Sequence, residues 1–100
     1  MCYTLEEIRE KAIPIAKYHG VKRLYLFGSY ARGEATDESD VDFYIEEGRV
    51  TSLLRYFALV NDLEKSFQCH VDVVSMGIED RNFLENIRQE GVMLYEAVGS

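Results

Sequence analysis

Apolar residues near the amino end recur at three and four positions: Ile8, Ala12, Ile15 and Ala16. Thr4 stands before them with Glu7 three residues on, the arrangement of a capping box, so a helix opens here and closes near Tyr18 at His19-Gly20. Pro14 falls inside this helix, removes one hydrogen bond and predicts a bend or tightening near residues 10–14. Residues 21–27 (VKRLYLF) are β-branched and aromatic and end at Gly28, which predicts a first strand. A polar, glycine-bearing loop is predicted over 28–39. Residues 40–45 then alternate strictly, with Val41, Phe43 and Ile45 toward a core and Asp40, Asp42 and Tyr44 on the other face of a second strand. Between 50 and 67, Leu53, Leu54, Phe57, Ala58, Val60, Leu63 and Phe67 fall at helical spacing and describe a long amphipathic crossover helix. Residues 69–74 (CHVDVV) predict a third strand, with Val71 and Val73 on one face and His70, Asp72 and Val74 on the other. A last helix over 78–89 carries Phe83, Leu84 and Ile87, Gly91 caps it, and 92–95 form a short extended tail.

A strand, an amphipathic helix and a further strand make a crossover between parallel strands, so Asp42 and Asp72 belong in one sheet. The first connection is too short for such a crossover and makes the first two strands antiparallel. The predicted class is α/β (α+β), a small mixed sheet of three main strands flanked by helices, in a single domain over 1–100. A chain of 100 residues, 47% hydrophobic and 29% charged with one proline, has the composition of an ordinary globule rather than a disordered or repetitive chain. Its longest apolar run, 56–60, is far short of the roughly 18 residues of a membrane span, and the acidic, amphipathic start is unlike a signal peptide, which predicts a cytoplasmic protein. Eleven Lys and Arg against eighteen Asp and Glu leave a net charge of −7, which disfavours a nucleic-acid substrate but not a small nucleotide held by metal. Cys2 and Cys69 form no zinc motif and read as reduced thiols, Cys69 as a buried and inert one.

Three carboxylates converge in this arrangement: Asp40 and Asp42 on one strand face, and Asp72 on a neighbouring strand. Like charges so placed raise a pKa unless a cation offsets them, and hard oxygen ligands without suitably spaced His or Cys favour Mg²⁺, or Mn²⁺, over zinc. A calcium loop is excluded because Ile45 stands where that loop needs glycine and Thr51 where it needs its bidentate glutamate. Upstream lies Gly28-Ser29-Tyr30-Ala31-Arg32-Gly33. Glycine lets backbone approach an anion, the Ser29 hydroxyl and successive N–H groups can donate to phosphate oxygens, and Arg32 adds a guanidinium fork. Neither a P-loop nor a dinucleotide fingerprint is present. His70 reads as a partly buried structural residue, His19 as a helix-end residue, and the glutamates at 6–7, 34–38 and 46–47 as solvated faces. Tyr30 is the one tyrosine placed for nucleotide contact.

From 28 to 45 the chain reads GSYARGEATDESDVDFYI. It resembles the nucleotidyltransferases of the DNA polymerase β superfamily, whose pattern is Gly-Ser-x-Ala-Arg-Gly, five variable residues, then Ser-Asp-x-Asp. With Asp72 in HVDVVS and the ending EGVMLYE, it is similar to the minimal nucleotidyltransferases. The resemblance implies the polymerase β palm-like fold, with Gly28, Ser29, Arg32 and Ser39 at the nucleotide phosphates. It further implies that Asp40 and Asp42 hold two Mg²⁺ ions, and that Asp72 binds the catalytic one and helps activate the acceptor hydroxyl. It also implies ATP as substrate and a small helical toxin of the HEPN class as partner, in a hetero-oligomer where AMP passes to a toxin tyrosine. Two alternatives remain: a module that neutralises the partner by sequestration alone, and an antibiotic nucleotidyltransferase, against which the short chain argues.

Overall fold

The computed structural model describes residues 3–36, 38–46, 48, 52–75, 82, 85 and 89–97. Helix α1 spans Leu5–His19. The Thr4 hydroxyl accepts the Glu7 N–H at 3.2 Å and the Glu7 carboxylate accepts the Thr4 N–H at 3.1 Å, so two of the helix's open donors are satisfied reciprocally. Gly20, at φ 74°, closes the helix in the left-handed conformation. Pro14 does not divide α1. It lies on the exposed side, and the helix continues through it to bury Ile8, Ala12 and Ala16.

Strand β1 is Arg23–Phe27, shorter than predicted, because the Val21 N–H turns back to the Ala16 carbonyl at 3.0 Å and is spent in closing α1. The segment predicted as loop opens instead with a short helix, α2, at Gly28–Arg32, ended by Gly33 at φ 72°. Strand β2 is Val41–Glu46, helix α3 is Leu53–Phe67 and strand β3 is Val71–Ser75. The predicted extended tail is a full fourth strand, β4, at Val92–Glu96. The sheet therefore has four strands rather than three, in the order β3-β2-β1-β4. β1 runs antiparallel to β2 and β4, while β2 and β3 are parallel, as the crossover through α3 predicts. The helix predicted over 78–89 lies for the most part outside the described residues; Asn82, Glu85, Gln89 and Glu90 are helical.

One core holds these elements in place. Ile8, Ala12 and Ala16 of α1 meet Leu59, Leu63 and Phe67 of α3 over the sheet face built by Leu24, Leu26, Val41, Phe43, Ile45, Val71 and Val73. The buried line of α3 differs from the predicted one. Leu53, Leu54 and Phe57 are 68%, 82% and 57% exposed, and Leu59, absent from the predicted line, is buried. At about 100° per residue Leu54 points away from Leu63, so counting apolar residues at three and four merges two stripes of which the sheet covers one. Tyr44 does face away from Val41 and Phe43, yet it too is buried, its ring 5.8 Å from that of Tyr25.

Polar links tie the elements at their ends. Arg23 donates to Glu46 on β2 and to Glu96 on β4, both at 2.6 Å, and these are its register partners on either side. Glu46, predicted as a solvated charge, is thus part of a three-strand fork. His19 stands at the helix end, as read from the sequence, and bonds Asp62 at 2.7 Å, joining the end of α1 to α3. The Tyr3 hydroxyl donates to the Phe67 carbonyl.

The two stripes of α3 separate experimentally. Leu63→Ala should cost about 2–5 kcal/mol, whereas Leu54→Ala should stay within about 0.5 kcal/mol of the parent. Urea unfolding followed by circular dichroism measures both, and equal losses would contradict the buried line.

Candidate active site

Parallel pairing of β2 with β3 sets Asp42 directly beside Asp72. Because side chains alternate across a strand, both carboxylates leave the core face that Val41, Phe43, Val71 and Val73 occupy. Asp40 lies one residue before β2, where the Val41 N–H bonds the His70 carbonyl at 3.3 Å and holds the two strand entries together. Ligand atoms of Asp40, His70 and Asp72 consequently all lie within 4.8 Å of one another, and all three side chains are exposed.

His70 corrects the sequence reading. It is not a partly buried structural residue: its side chain is 61% exposed, with Nε2 at 2.9 Å from Asp72 Oδ1 and Nδ1 at 3.5 Å from Glu64. The hydrogen bond to Asp72, then the Asp72 charge, raises its pKa above the ordinary imidazole value. Its position two residues before Asp72 on one strand face was the signal for this contact.

Asp42 is the most perturbed acid here. Burial, then the charge of Asp72, a hydrogen bond with it and the charge of Asp40 push its pKa up to about 6, against a small opposing effect of His70. The site thus crowds three carboxylates and holds the proton of one up to about pH 6. A hard divalent cation fits this donor set, since it replaces mutual repulsion by shared coordination and lowers the cost of ionising Asp42. Asp40, Asp42 and Asp72 could hold it, with His70 as an added nitrogen donor.

Gly28 explains how the phosphate segment meets the acids. Its φ is 74°, and a Cβ placed there would run into the Asp42 carboxylate. Only glycine offers both the backbone angle and the space. Ser29, half-buried, stands in the first turn of α2, and its carbonyl accepts the Glu34 N–H at 2.9 Å, which folds the segment back on itself. Arg32 is exposed, its Nε 3.2 Å from Glu34, a surface pair of the weak kind. The Ser39 hydroxyl accepts the Thr36 N–H at 2.8 Å and so shapes the turn leading into Asp40. Tyr30 packs against the core. Gly28 is therefore in contact with the acids, whereas Arg32 and Ser39 are engaged with their own loop.

Beside Asp42 and Asp72 lies a cavity of about 400 Å³ with Tyr56 and Phe57 of α3 in its wall. The Tyr56 hydroxyl donates to the Val73 carbonyl on the sheet edge. Cys69 is half-buried, its thiol pushed above the ordinary value by burial and then by Asp40.

The raised Asp42 pKa sets a pH dependence. Folding binds the Asp42 proton more tightly than the unfolded chain does, so this residue's contribution is complete below its ordinary value of 3.8 and is lost as pH rises through about 6. Without divalent cations, Asp42→Asn should therefore melt several degrees above the parent at pH 7 and close to it at pH 4. Thermal melts in EDTA across that range check this, and a parent–variant gap independent of pH would refute it.

Residues 10–98 match the family described as Polymerase beta, Nucleotidyltransferase. The chain is 45% identical over 71 residues to a Methanocaldococcus jannaschii protein named "Putative protein adenylyltransferase MJ0435", covering 71% of this chain and 76% of that one. Among solved structures it is similar to a chain of a toxin-antitoxin complex with AMP-PNP, at TM-score 0.76 and 21% identity over 90% of this chain and 74% of that one. It is also similar to a chain of the complex of a tri-AMPylated Shewanella oneidensis HEPN toxin with MNT antitoxin, at TM-score 0.70 and 18% identity over 92% of this chain and 72% of that one. The four-stranded mixed sheet and the paired strand acids accord with these likenesses, and the chain belongs to the polymerase β nucleotidyltransferase family, among its minimal nucleotidyltransferases.

Proposed function

We propose that this protein transfers AMP from ATP to a tyrosine of a helical HEPN-class toxin and thereby acts as its antitoxin. The observation that carries the reading is the register of β2 on β3, which sets Asp42 beside Asp72 with Gly28 against the Asp42 carboxylate. The name of the Methanocaldococcus relative supports protein adenylylation, and the Shewanella complex supports a HEPN toxin as the modified partner.

In this reading Gly28 and Ser29 receive the triphosphate at the start of α2, and Arg32 exchanges its surface pair with Glu34 for a phosphate oxygen. Asp40, Asp42 and Asp72 would hold two Mg²⁺ ions, which would neutralise charge on the phosphates and favour in-line displacement. Asp72 receives the proton of the acceptor hydroxyl. The hydroxyl oxygen forms its bond to the α-phosphorus as the bond from that phosphorus to the oxygen bridging to the β-phosphate breaks, and pyrophosphate leaves. No base from elsewhere is needed, because Asp72 adjoins Asp42 and the reacting phosphate would lie between the carboxylates and α2. His70 steadies Asp72 through its hydrogen bond.

Incubation with ATP radiolabelled at the α-phosphate, Mg²⁺ and the helical partner is the direct test, with the label expected on a partner tyrosine. Asp42→Ala should reduce labelling by at least about a hundredfold while circular dichroism stays native. Protection from the toxin by an unlabelled complex, or by an Asp40, Asp42 and Asp72 triple-alanine variant, would instead identify sequestration. Arg32→Ala should weaken ATP binding about tenfold in calorimetry and leave cation binding unchanged; equal loss of both would give Arg32 a purely structural part.

A further inference from the structure

His70 lies outside the Gly-Ser and Asp-x-Asp segment, yet the fold carries its imidazole to the acids. Gln68 takes the left-handed conformation at φ 55° and donates its N–H to the Glu64 carbonyl at 2.7 Å, so α3 stops abruptly and β3 begins at Val71. That reversal sets His70 between the last turn of α3 and the entry of β3. Its Nδ1 stands 3.5 Å from the Glu64 carboxylate, and its Nε2 stands 2.9 Å from Asp72 Oδ1. Asp40 completes the group, with one ligand atom from each of Asp40, His70 and Asp72 within 4.8 Å of the others. We infer that His70 is a metal ligand alongside the acids, that its nitrogen makes the site prefer Mn²⁺ to Mg²⁺, and that Glu64 is the positioning residue that aims its ring.

The two ring nitrogens face different partners. An imidazole that ligates through one nitrogen gives its other N–H to a carboxylate or carbonyl as a rule, which fixes the tautomer and the orientation of the ring. Glu64 stands on that outer side, so Nε2 is directed at Asp72 and Asp40. A cation between Nε2 and Asp72 Oδ1 replaces the hydrogen bond they share, whose proton passes to solvent, and His70 then steadies Asp72 through the ion. The donor set decides which ion this is. Mg²⁺ demands near-ideal octahedral geometry, keeps to oxygen ligands and dehydrates reluctantly. First-row divalent ions accept imidazole nitrogen more readily, and among them Mn²⁺ is the one that carboxylate oxygens also suit. A structural zinc centre would call for more nitrogen or sulfur than these three residues supply. The inference rests on the cation reading of the acids and is independent of which hydroxyl accepts the nucleotidyl group.

The full chain, without nucleotide, is titrated with Mn²⁺ and with Mg²⁺ in a calorimeter, and bound Mn²⁺ is examined by electron spin-echo envelope modulation. The parent should bind Mn²⁺ at least about tenfold more tightly than Mg²⁺ and should show the modulation of a directly bound ¹⁴N, altered when histidine is labelled with ¹⁵N. His70→Gln, at an exposed position, should keep a native circular dichroism spectrum and lose that modulation. It should weaken Mn²⁺ binding at least about tenfold and leave Mg²⁺ binding within about twofold. Glu64→Ala should weaken Mn²⁺ binding about tenfold with the nitrogen signal retained, and Glu64→Gln, which keeps an acceptor for the Nδ1–H, should recover part of that loss. A parent without nitrogen modulation, or a folded His70→Gln that loses Mn²⁺ and Mg²⁺ equally, overturns the inference. None of these readouts needs ATP or a partner. Labelling of a partner tyrosine by a protein without the nitrogen signal would reject the ligand and uphold the transfer, and the nitrogen signal in a protein that never labels a partner would do the reverse.

Discussion

Repulsion between Asp42 and Asp72 is the constraint around which this small protein is arranged. Register partners on adjacent parallel strands lie too close for two free carboxylates to ionise without cost, and the pKa of Asp42 near 6 expresses that cost. Nothing in the pairing lets the two acids separate, since sliding β3 by one residue would turn Asp72 into the core and Val71 and Val73 out of it. The apolar alternation that stabilises the sheet is therefore what enforces the electrostatic strain.

The remainder of the fold resists that strain. Leu59, Leu63 and Phe67 fix α3, and thereby the crossover from β2 to β3, against Ile8, Ala12 and Ala16 of α1. Arg23 stitches β1 to both neighbours at the opposite end of the strands from Phe27 and Gly28. The cation-bearing end and the acid-bearing end are thus separated along the sheet. Among the described residues the acids meet His70 rather than a lysine or arginine, which would leave charge available to a metal and to the phosphates it would bridge.

Much of this was legible from the chain alone because it rests on local rules. Thr4 and Glu7 announce a helix start, Gly20 its end, and the alternation through 41–45 places Asp42 opposite Phe43. The antiparallel and parallel pairings followed from connection lengths. What was not legible depends on partners remote in sequence. β4 is an ordinary extended tail until β1 offers it an edge, and His19 has no role until α3 brings Asp62 alongside. The two apolar stripes of α3 cannot be ranked until the sheet chooses Leu59 over Leu54. In the site, Gly28, Asp40 and Asp42 were legible as a contiguous motif and Asp72 through the crossover, and His70 shared a strand face with Asp72 although their hydrogen bond shows only in the fold. Ser39 carries the motif's signature, but the hydrogen bond it makes serves the turn.

Folding and ligand binding are coupled through the same residue. Domains of this size are stable by only about 5–15 kcal/mol, and ionising Asp42 against its raised pKa works against that margin. A ligand that binds the folded chain at a hundred times its dissociation constant adds about 2.7 kcal/mol. A cation that neutralised Asp42 would then also secure the register of β2 on β3, which sets Asp42 beside Asp72. Binding there would tighten the scaffold at the strand pair that carries the acids.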